Sequence, residues 1–268
     1  MREQTALGSY LTARRSALQP EDVGIAREPG RRVRGLRREE VARLAAISAE
    51  YYLRLEQGRG TRPSPQVIAG LSRALMLDED ATAYLEQLVA RGGVHPSTAN
   101  EPAGPFALAL VDEMSQLGTL LVDMNLDIVA ANALARQLVP GFAVGESAAV
   151  AMITAFMSTP PTLTDTALDV LSTLRYVSDP ESPRIREIID ELANAVPGVR
   201  SHWDRFDVRR PHPVEVTFTS TRLGTVRAVM HMLFIFTAPH AIITFSPHTS
   251  ADLAAFRYLH ALSGQSAH

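Results

Sequence analysis

The spacing of apolar residues changes once along this chain, near residue 100. Before that point apolar residues recur every three or four positions, the period of a helix with one buried face. "QTALGSYLTARRSAL", residues 4–18, puts Leu7, Tyr10, Leu11 and Leu18 on one stripe, with Thr5 placed to cap its start. The next stretch is broken by Pro20, Gly24, Pro29, Gly30 and Gly35 and reads as a long loop. "LRREEVARLAAISAEYYLRLEQGRG", residues 36–60, reads as two short helices around a tight turn. Val41, Leu44 and Ala45 share a face of the first, and Tyr52, Leu55 and Glu56 a face of the second. Ser64 followed by Pro65 marks another helix start, lined by Val67, Ile68, Leu71 and Leu75. "DEDATAYLEQLVA" has acids in its first turn, then Tyr84, Leu85 and Leu88, and completes five helices by about residue 91.

Beyond the Gly/Pro-rich "GGVHPSTANEPAGP" the pattern mixes periods. "LLVDMNLDIVAAN" alternates about a turn and predicts a hairpin. "ANALARQLV", "ESAAVAMITAFM", "TDTALDVLSTLRYV" and "PRIREIIDELANAV" predict helices, and "PVEVTFTST", "GTVRAVMHMLFIFT" and "AIITFSP" predict strands. "SADLAAFRYLHAL" closes as a helix, with Ser250 as its expected cap. The expected plan is two domains. Residues 1–92 form an all-α unit, 93–105 a linker, and 106–268 an α+β domain with an antiparallel sheet of about five strands.

Composition narrows the chemistry. There is no Cys, which removes disulfides, thiolate-bound metals and thiol nucleophiles. All 26 basic residues are Arg, so lysine-dependent phosphate loops and Schiff bases are excluded as well. No apolar run is long enough to cross a bilayer, and "MREQTALGSY" lacks the layout of a secretory signal, so a cytoplasmic protein with no membrane association is expected. The net charge of −3 is uneven: residues 1–95 hold 15 Arg against 12 acids, and residues 96–268 hold 11 against 17.

A two-helix unit with flanking arginines points to a helix-turn-helix. Ser48 follows the turn and is placed to cap the second helix, and Ala49, Glu50, Tyr51 and Arg54 would face outward to the base edges of a major groove. Arg37, Arg38, Arg59 and Arg62 lie at helix ends, where phosphate contacts are made. The expected partner is double-stranded DNA. A single helix-turn-helix buries little surface, so a homodimer on a pseudo-palindromic operator is expected. Tyr52 is assigned to the core and Tyr51 to a phosphate or sugar. Arg31, Arg32 and Arg34 are either a further DNA contact or a solvated loop.

These residues carry a resemblance. "PGRRVRGLRREEV", "YYLRLEQGR" and "PSPQVIAGLSRAL" resemble the lambda-repressor-like (XRE) helix-turn-helix, in the branch joined to an MmyB-like, PAS-like ligand-binding domain. "LLVDMNLDIVAANALARQL" and "VRSHWDRFDVRRPHPVEVTF" are similar to parts of that second domain, although "RRPHP" departs from the basic-Phe-His-His-Pro run of the family. Ala46 stands where the superfamily favours Gly at a left-handed turn, so a slightly altered turn is expected. The resemblance implies a transcription regulator whose C-terminal domain senses a small apolar, fatty-acid-like ligand.

The expected ligand set is Phe156, Met157, Trp203, Phe218, Met230, Met232 and Phe234. Met230, Met232, Phe234 and Phe236 alternate on one strand face; they line either plain sheet core or a cavity, and Met suits an adaptable apolar wall. His212 and His231 are expected on strands in structural roles, and neither cofactor nor metal is indicated. Two other readings stay open. One is a C-terminal domain that only dimerises or contacts a protein. The other is an enzyme with its site in residues 106–268, against which stands the lack of G-x-S-x-G, metal spacing, a glycine-rich phosphate loop and paired acid/base motifs.

Overall fold

The computed structural model describes residues 5–27, 31, 33, 35–59, 62–91, 102–156, 163–220 and 224–265. The chain divides into two compact units, Met1–His95 with Ser201–Arg209, and Pro96–Arg200 with Arg210–His268.

Among the described residues of its N-terminal stretch, the first unit holds five α-helices: α1 (Ala6–Ala17), α2 (Arg38–Leu44), α3 (Ala49–Glu56), α4 (Pro65–Ala74) and α5 (Glu79–Arg91). The caps read from sequence are in place: the hydroxyls of Thr5, Ser48 and Ser64 accept the N–H of Gly8, Tyr51 and Val67. The loop after α1 contains one short 3-10 turn, Pro20–Val23. Tyr10, Leu11, Val41, Tyr52, Leu55, Leu71, Tyr84 and Leu85 form the core. The Tyr10 and Tyr84 rings meet edge to face at 5.2 Å. Helices α2 and α4 approach closely at Gly70, where a Cβ would lie 2.6 Å from the Ala45 carbonyl oxygen. The segment Ser201–Arg209 packs within this unit: Arg14 pairs with Asp207 at 3.1 Å, and Phe206 lies against the Tyr10 ring at 6.3 Å.

The second unit has a five-stranded antiparallel sheet in the order β2-β1-β5-β4-β3, the PAS-like α+β plan expected. Its strands are β1 (Gly118–Asp123), β2 (Ile128–Ala131), β3 (Val214–Ser220), β4 (Gly224–Ile235) and β5 (His240–Pro247). Its helices are α6 (Pro105–Glu113), α7 (Ala133–Leu138), α8 (Ala148–Phe156), α9 (Asp165–Val177) and α10 (Pro183–Ala195), then α11 (Val199–Asp204), which runs into the first unit's segment, and α12 (Ser250–Gln265). Helix α6 was not expected; its Ala107 and Val111 pack on Leu121 and Ile242 of one sheet face. On the opposite face Met230 pairs with Phe245 and Met232 with Ile243, as strand alternation predicts. Leu171, Leu174, Ile188 and Leu192 of α9 and α10 are buried, as expected of covering helices.

Two local expectations are corrected. His212 does not lie on a strand: β3 begins at Val214, and the His212 ring nitrogen Nδ1 stands 3.1 Å from the Arg210 carbonyl oxygen. The cap of α12 is Thr249 rather than Ser250, because the Thr249 hydroxyl accepts the Asp252 N–H while the Asp252 carboxylate accepts the Thr249 N–H, a reciprocal pair that Ser250 cannot make.

Candidate DNA interface and ligand cavity

The turn between α2 and α3 is set by Ala46. Its φ of 56° is left-handed, so the turn expected to be altered keeps the geometry that Gly would give. Ile47 N–H donates to the Ala42 carbonyl at 3.0 Å and Ala46 N–H to the Arg43 carbonyl at 3.2 Å, a Schellman ending. The chain then re-enters a helix at once through the Ser48 cap. Ser48, Ala49, Glu50 and Arg54 are exposed and Tyr51 half-buried, while Tyr52 and Leu55 fill the interior. Arg54 and Glu50 stand 3.7 Å apart, one turn from each other, and the Arg54 guanidinium lies 5.8 Å from the Tyr51 ring centre. Burial and the neighbouring Glu56 charge push the Tyr52 phenol well above its ordinary pKa, as befits a core tyrosine.

The arginines divide into two kinds. Arg15 and Arg38 grip the two oxygens of the buried Glu56 at 2.7 and 2.5 Å. Arg31 holds both oxygens of Glu40 at 2.7 and 2.6 Å, with its side chain 2% exposed, so it is a structural residue of the loop. That pairing pulls the Glu40 carboxyl down to about 2. Arg32 and Arg34 lie outside the described residues. Arg38 keeps its side chain 48% exposed, and Arg54, Arg59 and Arg62 are exposed. Arg37 is the half-buried N-cap residue of α2, where its N–H donates to Glu40. The structure thus places Ser48, Ala49, Glu50, Tyr51 and Arg54 at the cap and along one helix, with Arg37 and Arg38 at the start of α2 and Arg59 and Arg62 between α3 and α4.

In the second unit the Met230 and Met232 side chains border a recess with Val170, His212 and Ile243, of about 20 Å³. That holds a water molecule at most. A larger cavity, about 520 Å³, lies where the end of α7, helices α8 and α10 and strand β3 meet, with Leu138, Val150, Ala151 and Phe218 among its apolar wall. Of the expected ligand set Phe218 lines this cavity, and Phe156 backs it, its ring 5.7 Å from that of Phe218. Met157 lies outside the described residues. Phe234 is 43% exposed near the end of β4, and Trp203 belongs to the segment that packs in the first unit; neither lines either space.

Three charged side chains at the cavity were not anticipated: Glu146, Arg184 and Glu191. Arg184 donates from Nε and Nη2 to the two oxygens of Asp127 at 2.8 Å each, and from Nη1 to Glu187 at 3.3 Å. The one sequence signal for Arg184 and Glu191 is the stripe Arg184, Glu187 and Glu191 on a single face of α10, a pattern that ordinarily marks a solvated surface. Among the described residues no group of three or more metal-ligating side chains is present, and no helix is long and apolar enough to cross a membrane.

Comparisons with known proteins match two families in succession along the chain. A helix-turn-helix domain family matches residues 6–85, and the MmyB-like transcription regulator ligand binding domain matches residues 103–259. A search of curated proteins gives no match. Among solved structures the chain is similar to the PAS domain of the quorum-sensing receptor RpfR from Cronobacter turicensis, in complex with BDSF and in complex with C12:0. Both share 13% identity over 50% of this chain and 95% of the other, with TM-scores of 0.25 and 0.26, too low to bear on what this chain binds. With the ligand-binding family spanning more than half its length and a helix-turn-helix ahead of it, the chain belongs to the MmyB-like transcription regulators.

Proposed function

We propose that this regulator binds a pseudo-palindromic DNA operator as a homodimer and that a small apolar ligand in its C-terminal unit modulates the binding. The DNA part rests on the exposed face of α3, where Ala49, Glu50 and Arg54 stand on a capped helix flanked by Arg38, Arg59 and Arg62. Arg54→Ala is expected to cost about 1–3 kcal/mol and relax specificity at one base position. Arg38→Ala should weaken all sequences alike and flatten the salt dependence. Fluorescence anisotropy on operator and random duplexes at several salt concentrations separates the two. Wild-type behaviour of both variants would refute the assignment.

The ligand part rests on the cavity of about 520 Å³. Its volume falls in the range of small-molecule sites, roughly 300–1,000 Å³, and its wall is mostly apolar. A chain-like apolar ligand suits such a wall, and the family resemblance supplies the fatty-acid-like kind. Such a ligand shifts DNA affinity only by its differential affinity for two arrangements of the protein, typically about 1–3 kcal/mol. Native mass spectrometry of the purified protein, with thermal shifts across compounds of graded chain length, tests it. A melting temperature indifferent to every apolar compound would refute ligand sensing. The second reading, a scaffold that contacts protein, is favoured by the exposed Leu233, Phe234 and Phe236 at and just beyond the end of β4.

A further inference from the structure

Exposed apolar side chains gather at one end of the sheet in the second unit. Asn132 ties the C-terminal end of α6 to the start of β1: its side chain accepts the Thr119 N–H and donates to the carbonyls of Val111, Met114 and Leu117. Helix α6 therefore runs back over β1. Its first turn arrives where β1 and β4 end and β5 begins, since Asp123 and Ile235 both pair with His240. Ala107 and Ile235 share a small core there with Leu121 and Ile242. Around that core Phe236 is fully exposed, Phe106 mostly, and Leu233, the cross-strand neighbour of Ile242, about half. A soluble chain seldom leaves such side chains together unless something covers them. Each ring alone removes about 150–250 Å² from water when covered.

Charge says what covers them. The chain has no Lys, and residues 102–111 and 228–247 contain no Arg, Asp or Glu. Of the acids at this end, Asp123 is buried and accepts the N–H groups of Asn125 and Asp127, and the Asp127 carboxylate is paired with Arg184 at 2.8 Å. The patch thus offers no salt-bridge partner to a charged protein and no cation to an anionic lipid surface. The rest of the domain is acidic, with 11 Arg against 17 acids in residues 96–268. A two-fold pair lays each surface on its own copy, so a face of one charge meets its like and is repelled. An uncharged apolar face meets its like without that cost.

We propose that the first turn of α6 and the end of β4, with Phe106, Leu233 and Phe236, form the face through which two copies of this chain pair. This rests on the homodimer reading and adds to it the surface that makes the pair.

The test is sedimentation velocity of the full chain over a range of concentrations, without DNA. Wild type should sediment as a dimer. Phe106→Asp and Phe236→Asp, each at an exposed position that leaves the fold intact, put two carboxylates into one contact and should raise the dimer Kd on the order of 100-fold. Phe236→Arg should do the same alone. An equal mixture of Phe236→Asp and Phe236→Arg should recover the dimer, because the two patches then carry opposite charges; a merely misfolded variant would not recover. Tyr258→Asp, at an exposed position on α12, should pair like wild type. A wild-type dimer that the Asp variants leave unchanged, or one that only Tyr258→Asp breaks, overturns the surface and leaves the homodimer standing. Loss in the Asp variant without recovery in the mixture overturns the face-to-face pairing. A wild-type monomer at every concentration overturns the homodimer reading itself, and leaves the patch to a different protein.

Discussion

Replacing Glu56 by Gln should be among the most damaging single-atom changes available in the first unit. The Glu56 side chain is 2% exposed and lies between Arg15, 9% exposed, and Arg38, 48% exposed. Gln keeps the shape and one acceptor but removes the negative charge, leaving the Arg15 guanidinium buried with the Leu36 carbonyl, 2.8 Å from Nη1, as its remaining partner in this network. Breaking a buried pair from one side costs about 3–5 kcal/mol. The retained acceptor and the Leu36 contact place the Arg15 half near the lower end. The Arg38 half, exposed to solvent, adds at most about 1 kcal/mol. The expected loss is therefore about 3–4 kcal/mol. A chain of two units does not melt as one, so the readout is hydrogen exchange of the α2 and α3 amides rather than a global melting point. Arg38→Ala should cost no more than about 1 kcal/mol by the same measure, since it leaves the Arg15–Glu56 pair intact. The double replacement Arg15→Met/Glu56→Met should recover most of the loss, because it removes both charges together. A Glu56→Gln loss below 1 kcal/mol, or an Arg38→Ala loss equal to it, would refute this account of the network.

Two further outcomes follow from local geometry. Ala46→Gly should stabilise the unit by about 0.5–1 kcal/mol: it relieves a left-handed Ala, worth roughly 1–2, and gives back part of that in unfolded-chain entropy. Operator affinity should stay unchanged; a destabilised variant would mean the turn is held by something other than its φ of 56°. The Glu40 carboxyl, pulled from 4.5 to about 2 by Arg31, contributes stability that is fully present above pH 4.5 and lost as the pH falls through about 2. An acid titration followed by exchange of the α2 amides should be flatter over that window in Glu40→Gln; an identical slope would exclude the pair as its source.

What the sequence disclosed was whatever depends on neighbours a few residues away. Helix periods, the caps at Thr5, Ser48 and Ser64 and the three long strands all follow from contacts within one element or across one turn. Helix α6 escaped because "PFALALVDE" is apolar nearly all round, so it shows no period; Phe106 is nevertheless 81% exposed. Alternation on β4 correctly assigns Phe234 to the face of Met230 and Met232, but alternation says nothing of how far along a strand the covering helices reach. The cavity's position escaped for the same reason. It is a gap between α7, α8, α10 and β3, elements far apart in sequence, and a gap leaves no residue pattern. Trp203 looked like a wall of the second domain because its segment lies between that domain's helices and strands; nothing local reveals that Ser201–Arg209 packs with α1.

The placement of charge in the first unit explains how a modest excess of arginine can serve DNA binding. A net count of +3 over residues 1–95 would be a weak attraction if spread evenly. It is not spread evenly. The buried guanidiniums of Arg15 and Arg31 are matched by Glu56 and Glu40, and Arg14 by Asp207, so the interior and the α1 side contribute little external field. Of the exposed arginines in residues 1–95, Arg38, Arg43, Arg54, Arg59 and Arg62 lie on or beside the two helices of the turn, while Arg27 and Arg73 lie elsewhere. Even Arg54 is only lightly held. Its exposed pair with Glu50 at 3.7 Å is worth about 0.2–0.5 kcal/mol and is easily exchanged for a base or phosphate, whereas the bonds to Glu56 and Glu40 are not. The acids of this unit thus act as selectors. By pairing the arginines that build the fold, they leave most of the exposed arginine charge on or beside the two helices of the turn.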